Sequence, residues 1–272
     1  MTRDVPADLV EGDALFAPTT DGRLIATKWS RGPWDPAHCH GAPPSALLVR
    51  SIEQHDGEEW NLARITIELQ RPIPVGVPLA IETTTERSGS RISIVGATMS
   101  VDDTAVARAR ALRIRVDDNR PPDVPGQIDP MPLPPAESTP MVPTFITDEI
   151  AYATDSCEFR FARGSWSERG PADVWIRLRV PVVPGELPTG AQRAAAAADF
   201  GNGVSAGLEH LEWLYINPDL TIHLGREPVG EWVGLAARSE YGTSGAGIAC
   251  SHLHDAEGPL GMSAQSLLVE PR

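Results

Sequence analysis

The feature that most constrains this chain is that it repeats itself. Residues 65–114 (ITIEL through ALRI) and 220–269 (LTIHL through SLLV) run through the same succession of segments. Each opens with an alternating strand that leads to an arginine, Arg71 or Arg226. A turn rich in Pro and Gly leads to PLAIETTTER or EWVGLAARSE, and a Gly/Ser turn to ISIVGATMSV or AGIACSHLHD. An acidic turn, DDT or DAEG, leads to a closing strand. Period-two alternation bounded by turn residues is the pattern of an antiparallel meander. In this pairing of the halves Gln265 falls opposite Arg110.

One helical candidate precedes each meander. In the first half it is HGAPPSALLVRSIEQ, where Pro43 and Pro44 suit a first helical turn. In the second it is PTGAQRAAAAADFGNGVSAGLE, residues 188–209, introduced by Pro188-Thr189 as its cap. Strand-like material comes before both helices. A single helix that is small and apolar over most of its surface must be wrapped by a sheet. The expected fold class is therefore α+β, a tandem or double hotdog, each half an antiparallel sheet around one central helix. The proline-rich run from Pro121 separates the halves, since proline removes donors and favours extended backbone. The expected division is 1–120, an N-terminal hotdog; 121–145, a linker; and 146–272, a C-terminal hotdog.

At 272 residues the chain can bury two full cores. Its formal net charge of −14 argues against a nucleic-acid partner. Cys39, Cys157 and Cys250 are odd in number, far apart and without metal spacing, which suits reduced thiols in the cytoplasm. No apolar run is long enough to span a bilayer, and the first residues lack a signal-peptide core. The pairs His38/His40 and His252/His254 have no partner carboxylate at motif spacing, so no metal is expected.

The second half carries AAAAADFGNG, INPDLTIHLGREP, EWVGLAARS and AQSLLVEPR; the first carries HGAPPSALLVRSIE and ITIELQRPIPVGVPL. With these segments the chain resembles the type II double-hotdog acyl-CoA thioesterases over nearly its whole length. The resemblance implies hydrolysis of a fatty acyl-CoA, with coenzyme A entering only as part of the substrate and no separate cofactor. In that family an Asp on the C-terminal helix, a Thr or Ser on the next strand and a Gln on the last strand hold the hydrolytic water. Asp199 and Gln265 match the first and last of these. The middle place departs from the pattern and falls on Asn217 or Thr221.

Such a site needs a group that polarises water, donors for the carbonyl oxygen, and room for the thioester. Asp199 would orient and partly deprotonate the water. Gly201 and Gly203 would let the substrate approach the backbone, and backbone N–H groups near Gly41 or Asn202 would face the carbonyl oxygen. His40, at the head of the first-half helix, would border the substrate. No G-x-S-x-G elbow is present to suggest a covalent intermediate. Arg108 and Arg110 could meet coenzyme A phosphates or lie on a solvated strand face.

Two other functions compete. A hotdog enoyl-CoA hydratase would need a histidine close to its catalytic acid, and Asp199 is expected to have none within reach. A hotdog that binds acyl-CoA without turning it over fits the departure at position 217. By the same analogy the sheet edges would pair chains into a dimer or tetramer.

Overall fold

The computed structural model describes residues 13–56, 59–117, 128–134 and 150–272. The first half builds a short hairpin, β1 (Phe16–Pro18) and β2 (Leu24–Ala26), then α1 (Ala42–Glu53). Its meander follows as β3 (Trp60–Leu69), β4 (Pro78–Ser88), β5 (Ile92–Val101) and β6 (Thr104–Arg115). The second half builds β7 (Cys157–Arg163), β8 (Ala172–Leu178), α2 (Gly190–Ala198) and a one-turn α3 (Gly201–Val204). Then come β9 (Trp213–Ile216), β10 (Asp219–Leu224), β11 (Trp232–Tyr241), β12 (Ala246–Asp255) and β13 (Gly258–Pro271).

Alternation and turn chemistry place these strands well. Residues 92–101 and 246–255 form the strands expected of them. The second helix is shorter than its sequence suggests: it breaks at Asp199-Phe200 and α3 stops at Val204. The four residues of β9 are too few for alternation to reveal them, and they pair only with the end of β13.

All strands join one 13-stranded sheet in the order β1-β2-β4-β5-β6-β3-β10-β13-β12-β11-β8-β7, with β9 beside β13. Followed inward from either end, the order is the same, and the halves meet where β3 pairs antiparallel with β10. Thr66 and Thr221 are partners in that ladder, 155 residues apart in sequence, with their hydroxyls 3.1 Å from one another. They hold the same place in the repeat, so a local two-fold axis passes between them.

The register corrects one sequence expectation. Thr66 faces Arg110 across β3 and β6, whereas Thr221 faces Ala264 across β10 and β13. Arg110 therefore corresponds to Ala264, and Gln265 to Ala111. The turn after β10 is one residue shorter than the turn after β3, which shifts the later strands by one. A one-residue shift moves a side chain to the other face of its sheet. Gln265 thus points inward, 1% exposed, while Arg110 points out to solvent.

The two helices lie against each other inside the curved sheet. In α1, Pro43 and Pro44 occupy the first turn, where a missing N–H costs nothing, and every residue from Ala42 to Val49 is buried. In α2, the Thr189 side chain accepts from the Gln192 N–H at 3.1 Å, and Ala194 to Ala198 are all buried. Alanines keep the helix narrow enough to be enclosed. Leu47, Leu48, Ile52, Ile65, Ile67, Leu220 and Leu253 are almost fully withdrawn from solvent, each stabilising the fold by about 1.5–3 kcal/mol. Of the expected linker only residues 128–134 are described. There Met131 is buried, and Pro132 accepts a hydrogen bond of 2.8 Å from Trp175 Nε1, so this piece lies on the second half.

Candidate active site

Asp199 caps the C-terminus of α2, at the break before Gly201 begins α3. A carboxylate at a helix C-terminus faces the negative end of the dipole, at a cost of about 0.3–1 kcal/mol. The neighbourhood offsets this cost. The start of α1 lies against the same carboxylate: a Cβ on Gly41 would stand 2.7 Å from Asp199 Oδ2 and 3.0 Å from Oδ1. Asp199 is 3% exposed and takes three side-chain donors. His40 Nδ1 lies 2.9 Å from Oδ2. Asn217 Nδ2 donates to Oδ1 at 2.7 Å, and Gln265 Nε2 donates to Oδ1 at 3.3 Å and to the Asp199 carbonyl at 3.1 Å. Three separate stretches of chain converge on one side chain.

The amides are used up by this work. The second Asn217 N–H goes to the Asp219 carbonyl at 3.2 Å. Gln265 Oε1 accepts from the Asn202 N–H at 3.1 Å, and the Asn202 amide donates to the Tyr215 carbonyl at 3.2 Å. Asn217 and Gln265 therefore hold the acid, and they offer an incoming water only the remaining lone pairs of their oxygens. A Cβ on Gly201 would meet Gln265 Oε1 at 2.7 Å, which explains the glycine there.

Most of the residues expected at the site come together, and some do not. Asp199, Asn217, Gln265, His40, Gly41, Gly201 and Asn202 form one cluster. Thr221 is elsewhere: as a mid-strand residue of β10 it is committed to the junction, where its hydroxyl donates to Thr66. Asn217, at the corner between β9 and β10, occupies the place beside the acid. Gly203 stands apart as well, since a Cβ there would meet only Trp166, at 3.9 Å. The Asn202 N–H was expected to face a carbonyl oxygen, but Gln265 takes it. The Gly41 N–H has no acceptor among the described residues, and Pro43 and Pro44 contribute no N–H to the same helix turn. Arg108 and Arg110 lie on the outer face of the first-half sheet, where Arg110 Nε donates to Glu86 Oε2 at 2.6 Å.

Two contributions escape the sequence. The expectation that Asp199 has no histidine within reach fails, because His40 arrives from the other half. Its ring packs against the stacked pair Phe200, with centroids 4.7 Å apart, and Tyr152, at 5.1 Å. The Tyr152 hydroxyl donates to the Ala196 carbonyl at 2.8 Å, and burial pushes it well above the usual phenol range. Ser251 is the other. Its buried hydroxyl has no partner among the described residues and lies 3.1 Å from where a Gly201 Cβ would stand. The serine in CSHLH carries no signal of that position.

The contact between the start of α1 and the end of α2 has a counterpart across the two-fold. Thr189 Oγ1 donates to Glu53 Oε1 at 2.8 Å and Gln192 Nε2 to Glu53 Oε2 at 2.7 Å, joining the start of α2 to the end of α1. Burial raises the Glu53 carboxyl above its ordinary range, against those two bonds, and the nearby Glu227 adds to the rise. Glu227 is itself raised by burial, although the N–H groups of Ala191 and Gly190 pull it down.

Comparison with known proteins agrees with this architecture. Solved structures of similar shape include a protein provisionally described as a thioesterase II from Thermobifida fusca YX. It superposes with a TM-score of 0.74 at 16% identity, over 96% of this chain and 99% of its own. A hot dog fold protein of unknown function from Alicyclobacillus acidocaldarius gives 0.71 at 16% identity, over 93% and 95%. Acyl-CoA thioesterase II from Mycobacterium marinum gives 0.62 at 14% identity, over 85% and 91%. These likenesses establish the tandem hotdog fold. No curated protein sequence matches the chain. Among the described residues no helix is long and apolar enough to cross a membrane. The acyl-CoA thioesterase N-terminal domain matches residues 30–114 and the C-terminal domain residues 125–269. The chain belongs to the acyl-CoA thioesterase family of thioester hydrolases.

Proposed function

We propose that this protein hydrolyses a fatty acyl-CoA by direct attack of water at the Asp199 cluster. The observation that carries the reading is the buried Asp199 carboxylate, fixed by Asn217, Gln265 and His40 from separate elements. A carboxylate so deeply withdrawn and so fully braced is poised to organise a reacting water. The water oxygen bonds to the thioester carbonyl carbon, and the tetrahedral species collapses with cleavage of the C–S bond. Coenzyme A leaves as the thiol and the acyl group as the acid. The Gly41 N–H, without an acceptor among the described residues, supplies a donor for the developing oxyanion. The free thiols Cys39, Cys157 and Cys250 support a cytoplasmic setting. The terminal strands β1 and β7 support pairing of chains into a dimer or tetramer.

The His40–Asp199 contact also favours a second reading, a hydratase, whose chemistry uses a carboxylate with an imidazole. One experiment separates the two. Thiol release is followed from saturated acyl-CoAs of graded length and from crotonyl-CoA. Release from the saturated series, abolished in Asp199→Asn, supports hydrolysis. Loss of the crotonyl double bond without thiol release would replace it with hydration, and tight binding without either reaction would leave a binding protein.

A further inference from the structure

We propose that His40, not Asp199, takes the proton from the attacking water. The proposal rests on the hydrolytic reading above and adds the path of the proton. Two groups converge on His40 Nδ1: Asp199 Oδ2 at 2.9 Å and the Ala42 N–H at 3.1 Å. One nitrogen cannot donate to the first while accepting from the second. The carboxylate decides, because a bare nitrogen lone pair facing a carboxylate oxygen at that distance is repelled, whereas Nδ1–H donating to it is a charge-assisted bond. The neutral ring therefore carries its hydrogen on Nδ1 and its lone pair on Nε2.

Nε2 has no hydrogen-bond partner among the described residues, and the His40 side chain keeps 12% of its surface open. Asp199 has the opposite character: it is 3% exposed, and both oxygens already accept N–H bonds. Of the two groups, the imidazole has the unengaged base and the carboxylate has the anchored charge. That is the division of labour in which a buried acid fixes the tautomer of a histidine and stabilises its charged form. The stacked rings of Phe200 and Tyr152 pack against the imidazole and limit its rotation.

The step balances. As the water oxygen bonds to the carbonyl carbon, its proton passes to Nε2 and the imidazolium is held by Asp199. When the C–S bond breaks, Nε2 returns that proton to the coenzyme A sulfur, and His40 is neutral for the next turnover. Among the described residues the titratable groups packed against the ring are Asp199 at Nδ1 and Tyr152, whose ring is tilted 44° to it. Cys39 precedes it in the chain and Cys157 bonds Tyr152; burial keeps the Tyr152 hydroxyl and both thiols protonated through neutral pH.

The test uses the full chain. Proton and nitrogen NMR with ¹⁵N-histidine reads the tautomer in the resting protein. Hydrogen on Nδ1 is expected, and hydrogen on Nε2 in the neutral ring overturns the proposal whether or not the protein releases thiol. For turnover, His40→Gln should lower kcat about 10²–10³-fold with KM nearly unchanged. The acid limb of the wild-type pH profile should vanish in that variant. In His40→Ala, added imidazole should restore at least tenfold of the lost rate, and it should do nothing for Asp199→Asn. A His40→Gln enzyme that keeps near-wild-type kcat, or keeps the wild-type acid limb, makes Asp199 the base. A wild-type protein that releases no thiol from any acyl-CoA defeats the hydrolytic reading, and the NMR result still stands by itself.

Discussion

Asp199 closes a helix whose dipole opposes it, and the residues around it exist in forms that tolerate it. Gly41 and Gly201 are the clearest cases, since a methyl group on either would press on the acid or on the amide that holds it. Replacing Asp199 with Asn keeps the shape and removes the charge, so thiol release should fall about 10²–10⁴-fold while the melting temperature stays close to wild type. Gly41→Ala should act by displacement: a Cβ at 2.7 Å from Oδ2 forces the carboxylate aside. A shift of that kind costs on the order of 10²-fold in kcat, measurable by the same thiol-release assay, and circular dichroism should show the fold retained. Asp199 and Gln265 were legible in the sequence because their segments resemble a family. The His40–Asp199 contact was not, because it depends on how two helices from opposite halves meet, and neither HCHGAPP nor AADFGNG states that meeting.

The strands were largely legible, because one buried face and one open face impose alternation, and Gly-rich or acidic turns mark their ends. The second helix was less so. Its small residues suit both the helix and the turn that ends it, and the break shows only in the packing, where the Gln265 amide donates to the Asp199 carbonyl. At the far end of the same helix pair, Glu53 gives a pH-dependent bond between α1 and α2. Burial raises its carboxyl above the ordinary value of 4.5. The folded state then binds a proton that the unfolded state has already released. The stability this group contributes is complete below about pH 4.5 and is lost as pH rises through the raised value. Chemical denaturation of wild type and Glu53→Gln should show wild type losing ground to the variant from pH 4.5 upward. A constant difference across that range would contradict the assignment.

The molecule as a whole is two copies that meet at the proposed site. His40 and Gly41 come from the first half, and Asp199, Asn217 and Gln265 from the second. The β3/β10 ladder and the α1/α2 contact hold the halves together. So do the Leu15 and Phe16 N–H groups, which donate to the Pro181 and Val182 carbonyls at 2.9 Å. Expressed as separate chains at the proposed boundaries, neither 1–120 nor 146–272 should release thiol, whereas mixing them should restore turnover. Activity in either chain alone would show that the site does not need both. The overall architecture could be deduced from the repeat, yet its register could not, since one residue fewer in a turn is invisible to alternation and decides which face Gln265 occupies.

The pair Thr66 and Thr221 marks what a fused chain permits. In a symmetric dimer of one short chain, Gln265 and Ala111 would be a single position in a single gene. Any substitution there would enter both sites together, and losing the glutamine from one would lose it from the other. Here the positions are inherited separately. One seat can keep its glutamine while the other holds an alanine that gives its volume to the core.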